Sequence, residues 1–167
     1  MTDREDIVDV LVRYATGIDD RDWSLFRTCF TDDARFDYGG IGTWNDPDAL
    51  TEYMRRSHSG PSLHRLSNFV VDIDADEAVS RTYVDAQVMG PRGFGVVRTF
   101  GRYDDRWRRT PDGWRITFRR TRLHGARLPG PLSLIPPTLA HRLLALTARL
   151  GTQSAASRHF ADEENES

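Results

Sequence analysis

Three features of this 167-residue chain predict an α+β fold. Apolar residues recur at helical spacing through the first third and switch to strict alternation after Gly60-Pro61. The alternating part consists of four long stretches. Short turn sequences connect them, which implies antiparallel hairpins. Helices first and a strand meander afterwards place a curved sheet against N-terminal helices.

Each element follows in order. Thr2-Asp3-Arg4-Glu5 reads as a capping box, with the Thr hydroxyl and the Glu carboxylate each satisfying a free backbone N–H. A helix then runs to about Ile18 with Ile7, Val8, Leu11, Val12, Ala15 and Ile18 on one face. Asp22 caps a second short helix carrying Trp23, Phe26 and Phe30. Ala34 to Tyr38 alternates like a strand and stops at Gly39-Gly40. Asp46-Pro47 starts a third helix over Pro47 to His58. The four long strands are Leu63 to Ile73, Ala78 to Val88, Phe94 to Trp107 and Trp114 to Leu123. Asp74-Ala75-Asp76-Glu77, Gly90-Pro91-Arg92-Gly93 and Thr110-Pro111-Asp112-Gly113 supply the turns. Leu128 to Pro137 is rich in Pro and Leu, and Thr138 to Leu150 reads as an amphipathic helix. Gly151 to Ser167 is polar and is expected to be disordered. The domain is therefore expected over 1–127, a lid or interface segment over 128–150 and a tail over 151–167.

Composition narrows the chemistry. All 23 basic residues are Arg. With no Lys there is no Schiff-base nucleophile, no phosphate-loop Lys and no Lys general base. Cys29 is the single cysteine, so an intramolecular disulfide and a multi-Cys zinc site are excluded. The charged N-terminus does not resemble a signal peptide, and no apolar run approaches the ~20 residues of a membrane span. The expectation is a cytoplasmic protein. His spacing offers no metal site, so none is expected. Arg98 to Arg127 holds ten Arg with interleaved aromatics. The chain is net acidic at −2, so this stripe is read as a solvated outer sheet face or subunit contact rather than a nucleic-acid surface.

Asp19-Asp20 closes the first helix, where carboxylates oppose the macrodipole at about 0.3–1 kcal/mol each. At about 100° per residue Asp19 falls on the apolar side with Val8, Val12 and Ala15. Desolvation there is expected to push its pKa towards that of a general base. Tyr14 flanks the same face and is a candidate donor to a developing oxyanion. His64 opens the first long strand and shares a face, by period two, with Leu66, Asn68 and Val70. Tyr38 places a second hydroxyl beside Gly39-Gly40. His58, His124, His141 and His159 lack such company.

These residues carry a family resemblance. Arg13-Tyr14-Ala15-x-x-Ile18-Asp19-x-Arg21-Asp22-Trp23, then Cys29 to Gly39, His64-x-x-x-Asn68, Gly101-x-Tyr103-x-Asp105 and Asp112 to Ile116 together resemble the SnoaL-like branch of the nuclear transport factor 2-like superfamily. The nearest likeness is to scytalone dehydratase and bile-acid dehydratases, over about residues 3–123. The resemblance implies a cone-shaped roll: a strongly bent antiparallel sheet on three N-terminal helices, closed around an apolar pocket, here with an extra C-terminal helix. It implies Asp19, His64, Tyr14 and Tyr38 as catalytic residues. Asn68, Trp23, Val88, Ala86 and Phe118 are the expected substrate-contacting set. A second His of scytalone dehydratase falls near Val88, and a later Asp of the bile-acid enzymes near Ala86. The expected activity is cofactor-free dehydration of a polycyclic, polyketide-, terpenoid- or steroid-like carbonyl compound by a homodimer or homotrimer. Cyclisation, isomerisation and non-catalytic binding of a small molecule are the alternatives, and weak membrane-surface binding of 128–150 is a further one.

Overall fold

The computed structural model describes residues 2–90, 95–140, 142–144 and 146. The capping box forms as expected from the sequence. Thr2 Oγ1 accepts from the Glu5 N–H at 3.4 Å, and Glu5 Oε2 accepts from the Thr2 N–H at 2.7 Å. Helix α1 runs from Asp3 to Asp19. Thr2→Ala is expected to cost about 1 kcal/mol, the usual loss on removing such a cap, and to lower Tm by about 2–4 °C in a thermal melt. An unchanged Tm counts against the cap.

The buried stripe of α1 is Ile7, Val10, Leu11, Tyr14, Ala15, Gly17 and Ile18. It is rotated from the expected face, and Val12 is 49% exposed. Gly17 shows why. A Cβ there would lie 2.8 Å from the Phe26 backbone N, so the missing side chain lets α2, Trp23–Arg27, press directly on α1. Phe30 does not continue α2. It begins β1, Phe30–Asp37, earlier than the predicted start at Ala34. A two-residue strand β2, Thr43–Trp44, precedes α3, Pro47–Ser57, whose N-cap is Asp46.

The long strands are β3, Ser62–Asp74; β4, Glu77–Met89; β5, Val96–Thr110; and β6, Gly113–Arg127. One open six-stranded sheet results, in the order β2-β1-β6-β5-β4-β3. The sheet is mixed, not wholly antiparallel, because β1 lies parallel to β6 with Phe30 opposite Ile116 and Phe36 opposite Arg119. The α+β class stands, with helices packed on one face of the sheet.

Bulges decide which side chains enter the core. Between the pairs Ser67–Tyr83 and Val70–Arg81, β3 has two residues, Asn68 and Phe69, opposite Thr82. Asn68 takes φ +53°, a left-handed conformation that Asn tolerates well. The extra residue reverses the alternation. Leu66 faces in before the bulge, while Phe69, Val71 and Ile73 do so after it. On β6, Thr117 is left over between the pairs Arg106–Phe118 and Trp107–Ile116. Trp114 and Ile116 therefore face in before this bulge, and Arg119 and Thr121 after it. A third bulge falls at His124. Such insertions bend a strand and increase its twist, which curves the sheet towards the helices.

The core joins α1, α2 and β1 through an aromatic chain. Tyr14, Phe26, Phe30 and Phe36 stack at centroid distances of 4.9–6.1 Å. Beyond β6, a 3₁₀ turn covers Gly130–Leu134, and 137–140, 142–144 and 146 are helical. Ala126, Leu128 and Ala140 form a second small cluster against Val97, Ile135 and Leu144. The rest of the expected C-terminal helix, the tail over 151–167 and most of the Gly90–Gly93 turn lie outside the described residues. Among those described, no helix is long and apolar enough to cross a membrane.

Candidate active site

The end of α1 meets the start of β3. Asp19 Oδ1 accepts from Ser62 Oγ at 2.8 Å and from His64 Nδ1 at 2.7 Å, and Oδ2 accepts from the His64 backbone N–H at 2.7 Å. The side chains are 17% and 6% exposed, respectively. Burial pulls the Asp19 carboxyl up, but the bonds from His64 and Ser62 pull harder, and its pKa lies below the ordinary value. This corrects the expectation from desolvation alone. Asp19 stays ionised and is no general base. An ionised carboxylate only accepts, so the ring proton of neutral His64 sits on Nδ1 and Nε2 carries a free lone pair.

His64 lines a cavity of about 160 Å³ between the helices and the inner sheet face. Tyr14, Tyr38, Ala86 and Val88 line it too, while Asp19 stands behind His64. The remaining walls are largely apolar, with Ile41, Met54, Val84 and Leu123. Three expected substrate contacts are absent from the lining. The bulge turns Asn68 out to solvent. Phe118, turned out by the bulge at Thr117, lies beside Arg106 and Arg120 at 5.7 and 5.6 Å. Trp23 packs edge-on against Phe26 at 6.1 Å, under Arg55.

Opposite the apolar walls lies a hydroxyl cluster. Tyr14 and Tyr38 share a hydrogen bond of 3.1 Å. Burial pushes the phenols of Tyr38 and Tyr103 well above their ordinary pKa, so both remain O–H donors. The Arg119 guanidinium is stacked between the Tyr14 and Tyr103 rings at 4.0 and 4.1 Å. Asp105 grips it through two bonds of 2.8 and 2.7 Å, and neither side chain is exposed to solvent. Burial raises the Asp105 pKa against the pull of Arg119, while the carboxylate keeps Arg119 protonated.

Sequence reasoning missed this pair. Arg119 was grouped with the outer Arg stripe, much of which does pair at the surface: Arg122 with Asp104, Arg98 with Asp85, Arg120 with Asp37. Period-two spacing of Tyr103, Asp105 and Trp107 held a legible signal of a carboxylate on an apolar face. His58 was also missed. It lines the cavity with its ring 5.7 Å from that of His64. Larger clefts of about 460 and 560 Å³ run between charged strands and hold none of the His and Tyr groups. Among the described residues no cluster of three or more His, Cys, Asp or Glu has metal-binding geometry.

Burial, then the neighbouring charge of His64, lowers the His58 pKa from 6.5 to about 4. Between those pH values the unfolded chain binds a proton at His58 and the folded one does not. Stability is therefore expected to fall as pH drops through that window, by on the order of 2–3 kcal/mol. Urea denaturation from pH 7 to 4 reads the slope, and His58→Leu should remove it. An equal slope in both proteins assigns it elsewhere.

Residues 1–120 match the family model described as a SnoaL-like domain. The uncharacterized protein Rv2910c of Mycobacterium tuberculosis (strain ATCC 25618 / H37Rv) is 32% identical over 120 residues, covering 70% of this chain and 82% of that one. The crystal structure of Kfla4162 from Kribbella flavida superposes with a TM-score of 0.69 at 25% identity, covering 75% of this chain and 93% of that one. A hexachlorocyclohexane dehydrochlorinase, LinA type 2, superposes with a TM-score of 0.70 at 18% identity, covering 80% and 93% of the two chains, a likeness of fold. The chain belongs to the SnoaL-like family, within the nuclear transport factor 2-like fold.

Proposed function

We propose that this protein is a lyase- or isomerase-type enzyme that removes a proton α to a carbonyl in an apolar pocket, with loss of water from a β-hydroxy carbonyl compound as the favoured reaction. The carrying observation is the Asp19–His64 pair, whose His64 lines the same cavity as Tyr14 and Tyr38, themselves joined through their hydroxyls. His64 Nε2 takes the α-proton, and the C–H electrons move onto the carbonyl oxygen as an enolate. The Tyr pair donates to that oxygen, and Arg119 behind the Tyr14 ring lends positive potential. The enolate collapses to a C=C bond as the β-hydroxyl leaves, carrying away the proton that His64 took. Asp19 stabilises the imidazolium between the two steps. A fold shared with a dehydrochlorinase is compatible with this elimination chemistry.

Non-catalytic binding is the competing reading. It is favoured by the apolar Ala86 and Val88, where the dehydratases that the sequence resembles carry a second polar group. Exchange of ketone α-hydrogens in D₂O, followed by NMR, separates the two. The enzyme reading expects exchange that Asp19→Asn and Tyr14→Phe slow. Identical rates with the wild type and both variants leave only a binder.

A further inference from the structure

We infer that the segment after the sheet docks on an anionic lipid surface, through leucines that the fold leaves uncovered and arginines that it leaves unpaired. This segment lies beyond the residues that match the SnoaL-like model. One side of its helix is already used: Ala140 is buried with Ala126 and Leu128, and Leu144 packs against them. Leu139, Leu143 and Leu146, spaced by four and then three residues, fall on a second stripe of the same helix. They are 37–55% exposed. Leu132 and Leu134, in the preceding 3₁₀ turn, are 52% and 87% exposed. A leucine exposed singly is ordinary. Five of them between 132 and 146 concentrate apolar surface of the kind that marks an interaction site.

The surrounding charge selects the partner. Between Asp112 and Asp162 the chain contains no Asp or Glu. Arg142 stands on the helix among the leucines, and Arg127 adjoins Leu128 at the end of β6. Both are exposed, and neither has an ion-pair partner among the described residues. Arg98, Arg120 and Arg122, out on the sheet, are by contrast each held by an Asp. An anionic bilayer takes up leucines in its acyl region and guanidiniums at its headgroups, so apolar burial and charge attraction add. A second copy meeting this face about a two-fold axis would set the same basic segment opposite itself, with no carboxylate to answer it.

The docking segment shares one end of the sheet with the cavity. Val97, which packs against the same small cluster, is paired with Val88, and Ala126 is paired with Thr99. Val88 and Thr99 both line the cavity. Docking through the leucines therefore brings this end of the sheet up to the lipid, and not the β5–β6 turn at Thr110 to Gly113. The assignment is independent of the reaction proposed for His64.

Flotation of the full-length protein with phosphatidylcholine vesicles, with and without about 30% phosphatidylglycerol, tests this. The protein is expected to float with the anionic vesicles and to bind them at least about fivefold more tightly than the neutral ones. The double variant Leu134→Ser with Leu139→Ser should weaken that binding at least about tenfold. Leu134→Ser alone should weaken it about fivefold, and serves where the double variant melts early. Arg142→Gln should weaken binding to anionic vesicles about fivefold and leave binding to neutral ones unchanged. Val12→Ser removes a comparably exposed apolar residue from α1 and should change neither. Failure of the wild type to float with anionic vesicles overturns the assignment. So does equal affinity for the two kinds of vesicle, or undiminished binding of folded leucine variants. Light scattering is read on the same proteins. A dimer that dissociates in the leucine variants, with no vesicle binding, gives this face to a second copy and overturns the lipid assignment.

Discussion

His64→Ala is expected to slow elimination of water from 3-hydroxycyclohexanone by about 10²–10⁴-fold, measured as the enone absorbance that appears. The magnitude is that of a positioned general base. Tyr14, Tyr38 and the cavity walls remain in place, so binding should change little and the loss should fall on kcat. Exogenous imidazole should restore part of the rate, because the variant leaves space where the ring stood. Asp19→Asn should give a smaller loss. The amide still accepts from the His64 ring but carries no charge to stabilise the imidazolium, and it disturbs the bonds that orient the ring. A thermal melt of each variant separates lost chemistry from lost fold. Wild-type turnover in a folded His64→Ala protein would falsify the role of His64.

Asp105→Ala is expected to be the most destabilising single change, at about 3–5 kcal/mol, with Tm lowered by about 6–20 °C. The cause is the charge left behind. Arg119 is fully buried, and among the described residues its only acidic partner is Asp105. Without Asp105 its guanidinium keeps two aromatic faces and loses its counter-charge. The pair itself is not the source of stability, since two charges were desolvated to make it. The double variant Asp105→Leu with Arg119→Met should therefore recover most of the loss. Urea titrations of the three proteins settle the point. A double variant no more stable than Asp105→Ala shows that the ion pair is itself stabilising. Arg119→Met also takes the cation from behind Tyr14, so the recovered protein should remain a poorer catalyst.

The fold was legible because its signals are local and repeated: a capping box, a Pro at a helix start, long runs of alternation, turn dipeptides. The Asp19–His64 pair was also accessible, because helical angle points Asp19 inward and strand phase points His64 the same way. The misplaced strand residues share one physical origin. Alternation assumes an unbroken strand, and β3 and β6 each carry an extra residue. Asn68 was assigned to the inner face by a count that the bulge at Asn68-Phe69 resets, and the bulge at Thr117 turns out Phe118, which the resemblance had implied as a substrate contact. The same reset at Thr117 carries Arg119, read with the outer Arg stripe, to the inner face. The pKa of Asp19 was misread for a different reason. Burial is visible in a helical pattern, whereas the donors that outweigh it arrive from Ser62 and His64, far along the chain. The parallel partnership of β1 was invisible as well, because nothing local in either strand specifies a neighbour so remote.

That partnership has a consequence for how the chain is made. Phe30 to Asp37 must wait for Ile116 to Arg120 before its edge is paired. During synthesis α1 and β1 leave the ribosome before the strands they pack against or pair with, β3 and β6, have been made. Closing so large a loop delays the native pairing and raises the contact order of the fold, features that slow folding and lengthen exposure to aggregation. Tyr38, at the end of β1, is thus brought to Tyr14 and to the Asp19–His64 pair only once the last of the described strands is in place. Ribosome-stalled chains ending before residue 113 should remain protease-sensitive, and protection should appear once β6 has cleared the exit tunnel.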